Sequence, residues 1–243
     1  MSKQRELDET MIALDGTSEK SRLGANAILA VSIAASRAAA AARRLPLWQH
    51  LNELYLEQTG TGAAAGPPRL LINLINGGAH SGSNLQIQEF LIIPETRDLV
   101  TAVNLAQKFY VTLKKLLAEK YGRAAVNVGD EGGFAPDLTD DTAPLTLFTK
   151  VAAQLNVNRD RTLTFGLDAA ANNLKQTGES LINFYRTITR HYPLTYLEDP
   201  FGEEDLTPFR QLKKELRGKV TIVGDDLTTT DPKIIAAPAF KDA

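Results

Sequence analysis

The sequence predicts an α/β protein in which a short helical segment precedes a partial (β/α)8-like barrel. Short apolar runs suited to buried strands alternate with longer amphipathic stretches suited to helices. The repeat is about 30 residues, the size of one βα unit. Three successive strand candidates end in acidic residues. A doubly wound open sheet is the alternative, and the number of units favours the barrel.

The first ten residues, with Lys3, Arg5, Glu6 and Asp8, form a charged stretch leading into a helix, a start expected of an internal segment. Residues 23–44 are Ala-rich and read as a helix that Pro46 stops, and residues 47–58 read as another. TGTGAAAGPP at 59–68 has no periodicity and several helix breakers. A domain boundary is expected there, separating residues 1–66 from 67–243. Strands are expected at 70–75, 90–93, 126–128, 163–167, 194–197 and 220–223. Helices are expected at 99–120, 142–155, 180–191, 206–216 and 232–237. Thr230 or Asp231 would cap the last of these, with Pro232 in its first turn. Six strands within the 174 residues from Leu70 onward fall short of the roughly 250 of a complete barrel.

Composition narrows the function classes. At 243 residues, 43% hydrophobic and 23% charged, the chain can bury a sizeable core. A net charge of −2 provides no basic footprint for nucleic acid. With no cysteine, thiol catalysis, cysteine-ligated zinc and disulfides are excluded. A cytoplasmic location is the default expectation. Asn26, Ser32, Ser36 and Arg37 interrupt the most apolar stretch, and no membrane span is expected.

The strand ends carry the chemistry. TLTFGLD ends at Asp168, LTYLED at Glu198 and Asp199, and VTIVGDD at Asp225 and Asp226. In a parallel barrel such ends share the C-terminal face, where active sites are built. Asp168, Glu198 and Asp225 would converge there, with Asp199 and Asp226 in supporting roles. Clustered carboxylates must take up protons or bind a cation. Hard oxygen ligands without His or Cys favour Mg²⁺. A single acid after a strand more often caps a helix or closes a turn; three in register argue for a shared site. Two more segments place polar groups at strand ends. INGGAHSGSNLQIQEF carries His80 on a glycine-rich loop and Gln88 and Glu89 at the next strand's start, and NVGDEGGFAP sets Asp130 and Glu131 on a glycine-flanked turn.

Taken together, these segments resemble the enolase family over nearly the whole chain from about Leu14. LDGTSEKSRLGANAILAVSIAASRAAA, INGGAHSGSNLQIQEFLIIP, VGDEGGFAP, FGLDAA, LEDPF and VGDDLTTTDPK occur in the family's order. The resemblance implies the Mg²⁺-dependent interconversion of 2-phosphoglycerate and phosphoenolpyruvate in glycolysis and gluconeogenesis. It implies Asp168, Glu198 and Asp225 as ligands of the tighter-bound Mg²⁺, and Glu131 as the general acid for the departing C3 hydroxyl. Glu89 would assist that acid, and His80, Gln88 and Glu89 would contact substrate. The family's base Lys, a His-Arg-Ser segment and a second active-site Lys would fall beyond Ala243. A homodimer or a complementing C-terminal chain is the partner the resemblance implies. Three alternatives stand beside it: one part of a split enolase, a noncatalytic binding protein of the same fold, and another superfamily dehydratase.

Overall fold

A computed structural model describes residues 3–62, 66–78, 82–129, 131–157, 162–229 and 231–237. The chain forms two compact units, Met1–Gly66 and Pro67–Ala243.

The first unit holds three helices, α1 (Gln4–Asp15), α2 (Ala25–Ala42) and α3 (Leu47–Thr59). The charged start thus belongs to a helix of its own. Gly16 ends α1 in the left-handed conformation, φ 72°, with its N–H donating to the Ile12 carbonyl. The turn that follows is organised by the buried Asp15 carboxylate. It accepts from the Thr17 hydroxyl at 2.5 Å, from the Thr17 N–H at 3.1 Å and from the Leu23 N–H at 2.6 Å. These bonds hold the Asp15 carboxyl below its ordinary range. By length and composition alone α2, with a mean hydropathy of 1.4 over 18 residues, is apolar enough to cross a membrane. Polar Asn26, Ser32, Ser36 and Arg37 punctuate it.

The second unit is built on a five-stranded open sheet in the order β1 (Ile72–Asn76), β2 (Glu89–Pro94), β3 (Leu163–Asp168), β4 (Leu194–Glu198) and β5 (Thr221–Val223). The helices are α4 (Leu99–Tyr121), α5 (Ala143–Gln154), α6 (Glu179–His191), α7 (Leu206–Leu216) and α8 (Pro232–Ala236). Asp98 caps α4 by accepting from the Thr101 N–H at 2.7 Å, and Asp231 caps α8 by accepting from the Lys233 N–H at 2.7 Å. Phe109, Leu113 and Leu117 of α4, Phe148 and Val151 of α5, and Tyr185 of α6 are fully buried with Phe90, Phe165 and Leu167 of the sheet in one core. Phe148 stands edge-on to both Phe109 and Phe165.

Two expectations from the sequence are corrected. Residues 126–128 are not a strand. Arg123–Val126 form a 3₁₀ turn, and Val128 makes only an isolated bridge to Phe134. Nor are all the strands parallel: β1 and β2, and β2 and β3, pair antiparallel, while β3 to β5 are parallel. Connection parity explains both reversals. Among the described residues of 77–88 there is no helix to carry the chain back, so β2 returns directly alongside β1. Between β2 and β3 stand two helices, α4 and α5, rather than one, and an even number of helical passes reverses the next strand.

Candidate active site

Pairing register sets a row of polar residues along one rim of the sheet. Asn76 of β1 pairs with Glu89 of β2, Glu89 with Asp168 of β3, Asp168 with Glu198 of β4, and Glu198 with Val223 of β5. Glu89 begins its strand whereas Asp168 and Glu198 end theirs. They share a rim because β2 runs the opposite way.

The turn carrying Glu131 is pinned against β1. The Phe134 N–H donates to the Leu74 carbonyl at 2.9 Å, and the Asn76 N–H donates to the Phe134 carbonyl at 2.8 Å. The turn closes with the Gly129 N–H donating to the Gly133 carbonyl at 2.8 Å. The Asn76 amide Nδ2 then donates to Glu131 Oε2 at 2.6 Å, with Asn73 Nδ2 at the outer limit, 3.5 Å. Residue 133 has to be glycine for this approach. A Cβ there would lie 2.3 Å from Asn76 Oδ1 and 2.9 Å from Asn73 Oδ1.

Opposite Glu131, the Glu89 carboxyl is pushed up to about 8. Burial is the largest cause, followed by the hydrogen bond and charge of Glu131 and the charges of Asp168 and Glu198. Glu89 therefore keeps a proton at neutral pH, in hydrogen-bond contact with Glu131. Burial, with the charge of Glu198 next, pushes Asp168 up to about 7. Glu198 is raised too, chiefly by burial. Among the described residues, carboxylate oxygens of Asp168, Glu198 and Asp199 lie within 4.8 Å of one another. Such a gathering of like charges could hold a metal ion.

Asp199 has a second duty. It is 2% exposed and adopts φ 39°, a conformation that aspartate tolerates better than most residues. Its carboxylate accepts from the backbone N–H groups of Asp226 at 2.8 Å, Leu227 at 3.2 Å and Asp225 at 3.2 Å. Those three bonds fasten the loop after β5 to the end of β4. Below that loop the buried Tyr185 hydroxyl donates to the Pro200 carbonyl at 3.0 Å, seating the LEDPF segment on α6.

Comparison with known proteins decides the family. The profile for the enolase C-terminal TIM barrel domain matches residues 67–175 and 157–242, and that for the enolase N-terminal domain matches residues 1–51. The chain belongs to the enolase family. It is 43% identical to the enolase of Thermococcus gammatolerans over 96% of this chain and 55% of that protein. Against the enolase of Pyrococcus furiosus it is 43% identical over 95% of this chain and 55% of the relative, and against that of Methanocaldococcus jannaschii 42% over 94% and 54%. The chain thus spans about half the length of the curated enolases it matches. Helix α2 lies within the matched enolase N-terminal domain.

Within this enolase fold, Glu89, Glu131, Asp168 and Glu198 gather at one rim, and Gln88 immediately precedes Glu89 there, its carbonyl accepting from the Gly77 N–H at 2.9 Å. Asp225 follows β5 at the same rim with its side chain exposed, whereas Asp199 completes the tightest carboxylate group. His80, Asp130 and Thr230 lie outside the described residues. Sequence reasoning passed over Asn73 and Asn76, which hold Glu131, and Tyr196, which donates to Glu198. The signal for Asn76 was its place at the end of β1. For Tyr196 it was a spacing of two from Glu198, which puts both on one face of a strand.

Proposed function

We propose that this chain carries the acid and metal-binding side of an enolase active site, acting in the cytoplasm on 2-phosphoglycerate and phosphoenolpyruvate. The observation that carries the proposal is the rim itself. A protonated Glu89 in hydrogen-bond contact with Glu131 and a cluster of mutually repelling carboxylates share that rim in a chain of the enolase family.

The donor set fits Mg²⁺. Every group is a hard carboxylate oxygen, and burial first, then neighbouring carboxylates, raise both Asp168 and Glu198 above their ordinary range, a cost that a cation would relieve. Asp168, Glu198 and Asp225 would hold the ion, with Asp199 fixing the loop on which Asp225 stands. Bound Mg²⁺ supplies positive charge that stabilises the substrate carboxylate as it gains charge. In the dehydration direction the C2–H bond breaks to a base that this chain is not proposed to supply. The C2–C3 double bond forms, and the C3–O bond breaks. The departing oxygen takes a proton from the Glu131–Glu89 pair and leaves as water. Glu131 delivers that proton, because two amides on β1 fix its carboxylate. Glu89, which holds its proton to about pH 8 and is hydrogen-bonded to Glu131, would resupply it. His80 and Gln88 would contact substrate.

The test is Mg²⁺-dependent formation of phosphoenolpyruvate by absorbance, with the chain alone and with a complementing C-terminal enolase segment. Glu131→Gln is expected to lower turnover about 10²–10⁴-fold, as loss of a positioned acid does. Turnover that survives Glu131→Gln would refute the assignment of the acid. Absence of turnover in both arrangements would favour a noncatalytic binding role.

A further inference from the structure

Strand β4 alternates its side chains, so Tyr196 and Glu198 project from one face, beside Gly166 and Asp168 of β3 respectively. The Tyr196 hydroxyl donates to Glu198 Oε2 at 2.5 Å. What lets the ring lie across β3 is the missing side chain at Gly166. A Cβ there would come within 3.2 Å of Tyr196 Cβ, 3.3 Å of its Cδ1 and 3.2 Å of Ile93 Cδ1, closer than ordinary van der Waals contact. Tyr196 is therefore seated over the backbone of Gly166, with Ile93 of β2 beside it, and the phenol has a fixed line of approach to Glu198.

A carboxylate has two oxygens and rotates about its last bond. Left alone, Glu198 can present either oxygen, or both, to a cation. With Oε2 accepting from the phenol, the carboxylate is no longer free to rotate, and Asp168 stands opposite it across the register. We propose that Tyr196 is a positioning residue that fixes the Glu198 carboxylate in the orientation in which it would hold the divalent cation, and that Gly166 provides its seat. The inference rests on the reading of Glu198 as a metal ligand. It concerns how that ligand is held, a task that hydrogen bonds behind metal ligands commonly perform.

The test is a calorimetric titration of Mn²⁺ into the full chain, comparing the parent with Tyr196→Phe, Gly166→Ala and Glu198→Gln, with a thermal melt of each. Tyr196→Phe keeps the ring and its packing and removes only the hydroxyl. It is expected to melt like the parent while binding Mn²⁺ about 10–100-fold more weakly. Gly166→Ala leaves the hydroxyl in place but displaces the ring, and is expected to weaken binding in the same direction. An affinity in Tyr196→Phe within about twofold of the parent's would overturn the inference, because that is below the usual effect of losing such a bond. Should Tyr196→Phe not fold, Gly166→Ala decides by the same criterion. Parent binding that Glu198→Gln leaves untouched would overturn the ligand reading and this inference with it, an outcome distinct from an inert Tyr196→Phe.

Discussion

Raising the pH from 5 to 8 without divalent cation is expected to lower the stability of the second unit. Glu89 moves from an ordinary 4.5 to about 8 in the fold, and Asp168 from 3.8 to about 7. Both are acids whose folded pKa is raised. The folded state therefore holds protons that the unfolded chain has released, and stability falls with rising pH between the two values. Stability from these groups is complete below about pH 4 and lost by about pH 8. Each group contributes at most about 1.4 kcal/mol per pH unit, so between pH 5 and 8 the two together set a ceiling of about 7 kcal/mol. Both are only partly buried, and screening by solvent reduces that to about 2 kcal/mol. For a chain of this size the melting midpoint should drop by about 4–8 °C. Asp141, Glu198 and Asp199 are shifted the same way. Asp15, Asp98 and Glu215 are shifted the other way, so their losses come at acid pH, below this window. The assay is thermal denaturation followed by circular dichroism in EDTA at several pH values, repeated with saturating Mg²⁺. Because the cation competes with protons for the same oxygens, its stabilising effect should grow with pH, reaching about 2.7 kcal/mol at a hundredfold excess over Kd. A midpoint in EDTA that is flat or rises from pH 5 to 8 would refute the reasoning, since it would mean these carboxyls are already satisfied without a cation.

Asp199→Ala removes the acceptor for three backbone N–H groups and leaves alanine at a positive φ. A loss of about 2 kcal/mol is expected by urea denaturation, after allowing for relieved repulsion in the cluster. A smaller loss from Asp199→Asn, which retains one acceptor oxygen, would identify the hydrogen bonds as the cause. Gly133→Ala drives a Cβ into the amides of Asn76 and Asn73 and against the Ile75 N–H at 3.1 Å. It is expected to cost about 1–3 kcal/mol and to lower turnover in the complemented enzyme, whereas unchanged stability and turnover would show that the Glu131 turn adapts freely.

Most of the elements were legible because their sequence periods are strong. Residues 99–120, 180–191 and 206–216 carry clear amphipathic patterns and emerge as α4, α6 and α7 within a residue of the expected ends. The segment 126–128 misled because an apolar residue either side of Asn127 imitates a short strand. The fold uses it to lead into the Glu131 turn, with the Ala135 N–H donating to the Asn127 carbonyl at 2.8 Å. Local pattern sets Asp199 apart from Glu198 as a supporting residue but does not show what it holds. One becomes a loop clamp and the other faces Asp168, and the difference is a backbone twist at residue 199.

Strand direction was the costlier omission, because the site depends on it. Had β2 run parallel to β3, its first residue would lie at the far rim, and Glu89 would be the length of a six-residue strand, about 17–20 Å, from Asp168. Reversal brings Glu89 into register with Asp168 and, through Asn76, beside the turn that carries Glu131. The information was present, though not in any apolar period. Residues 77–88 are too few and too glycine-rich for the helix that a parallel return needs; two helices, not one, separate 90–93 from 163–167. Counting passes between strands, rather than strands alone, places Glu89, Asp168 and Glu198 on the same rim from sequence.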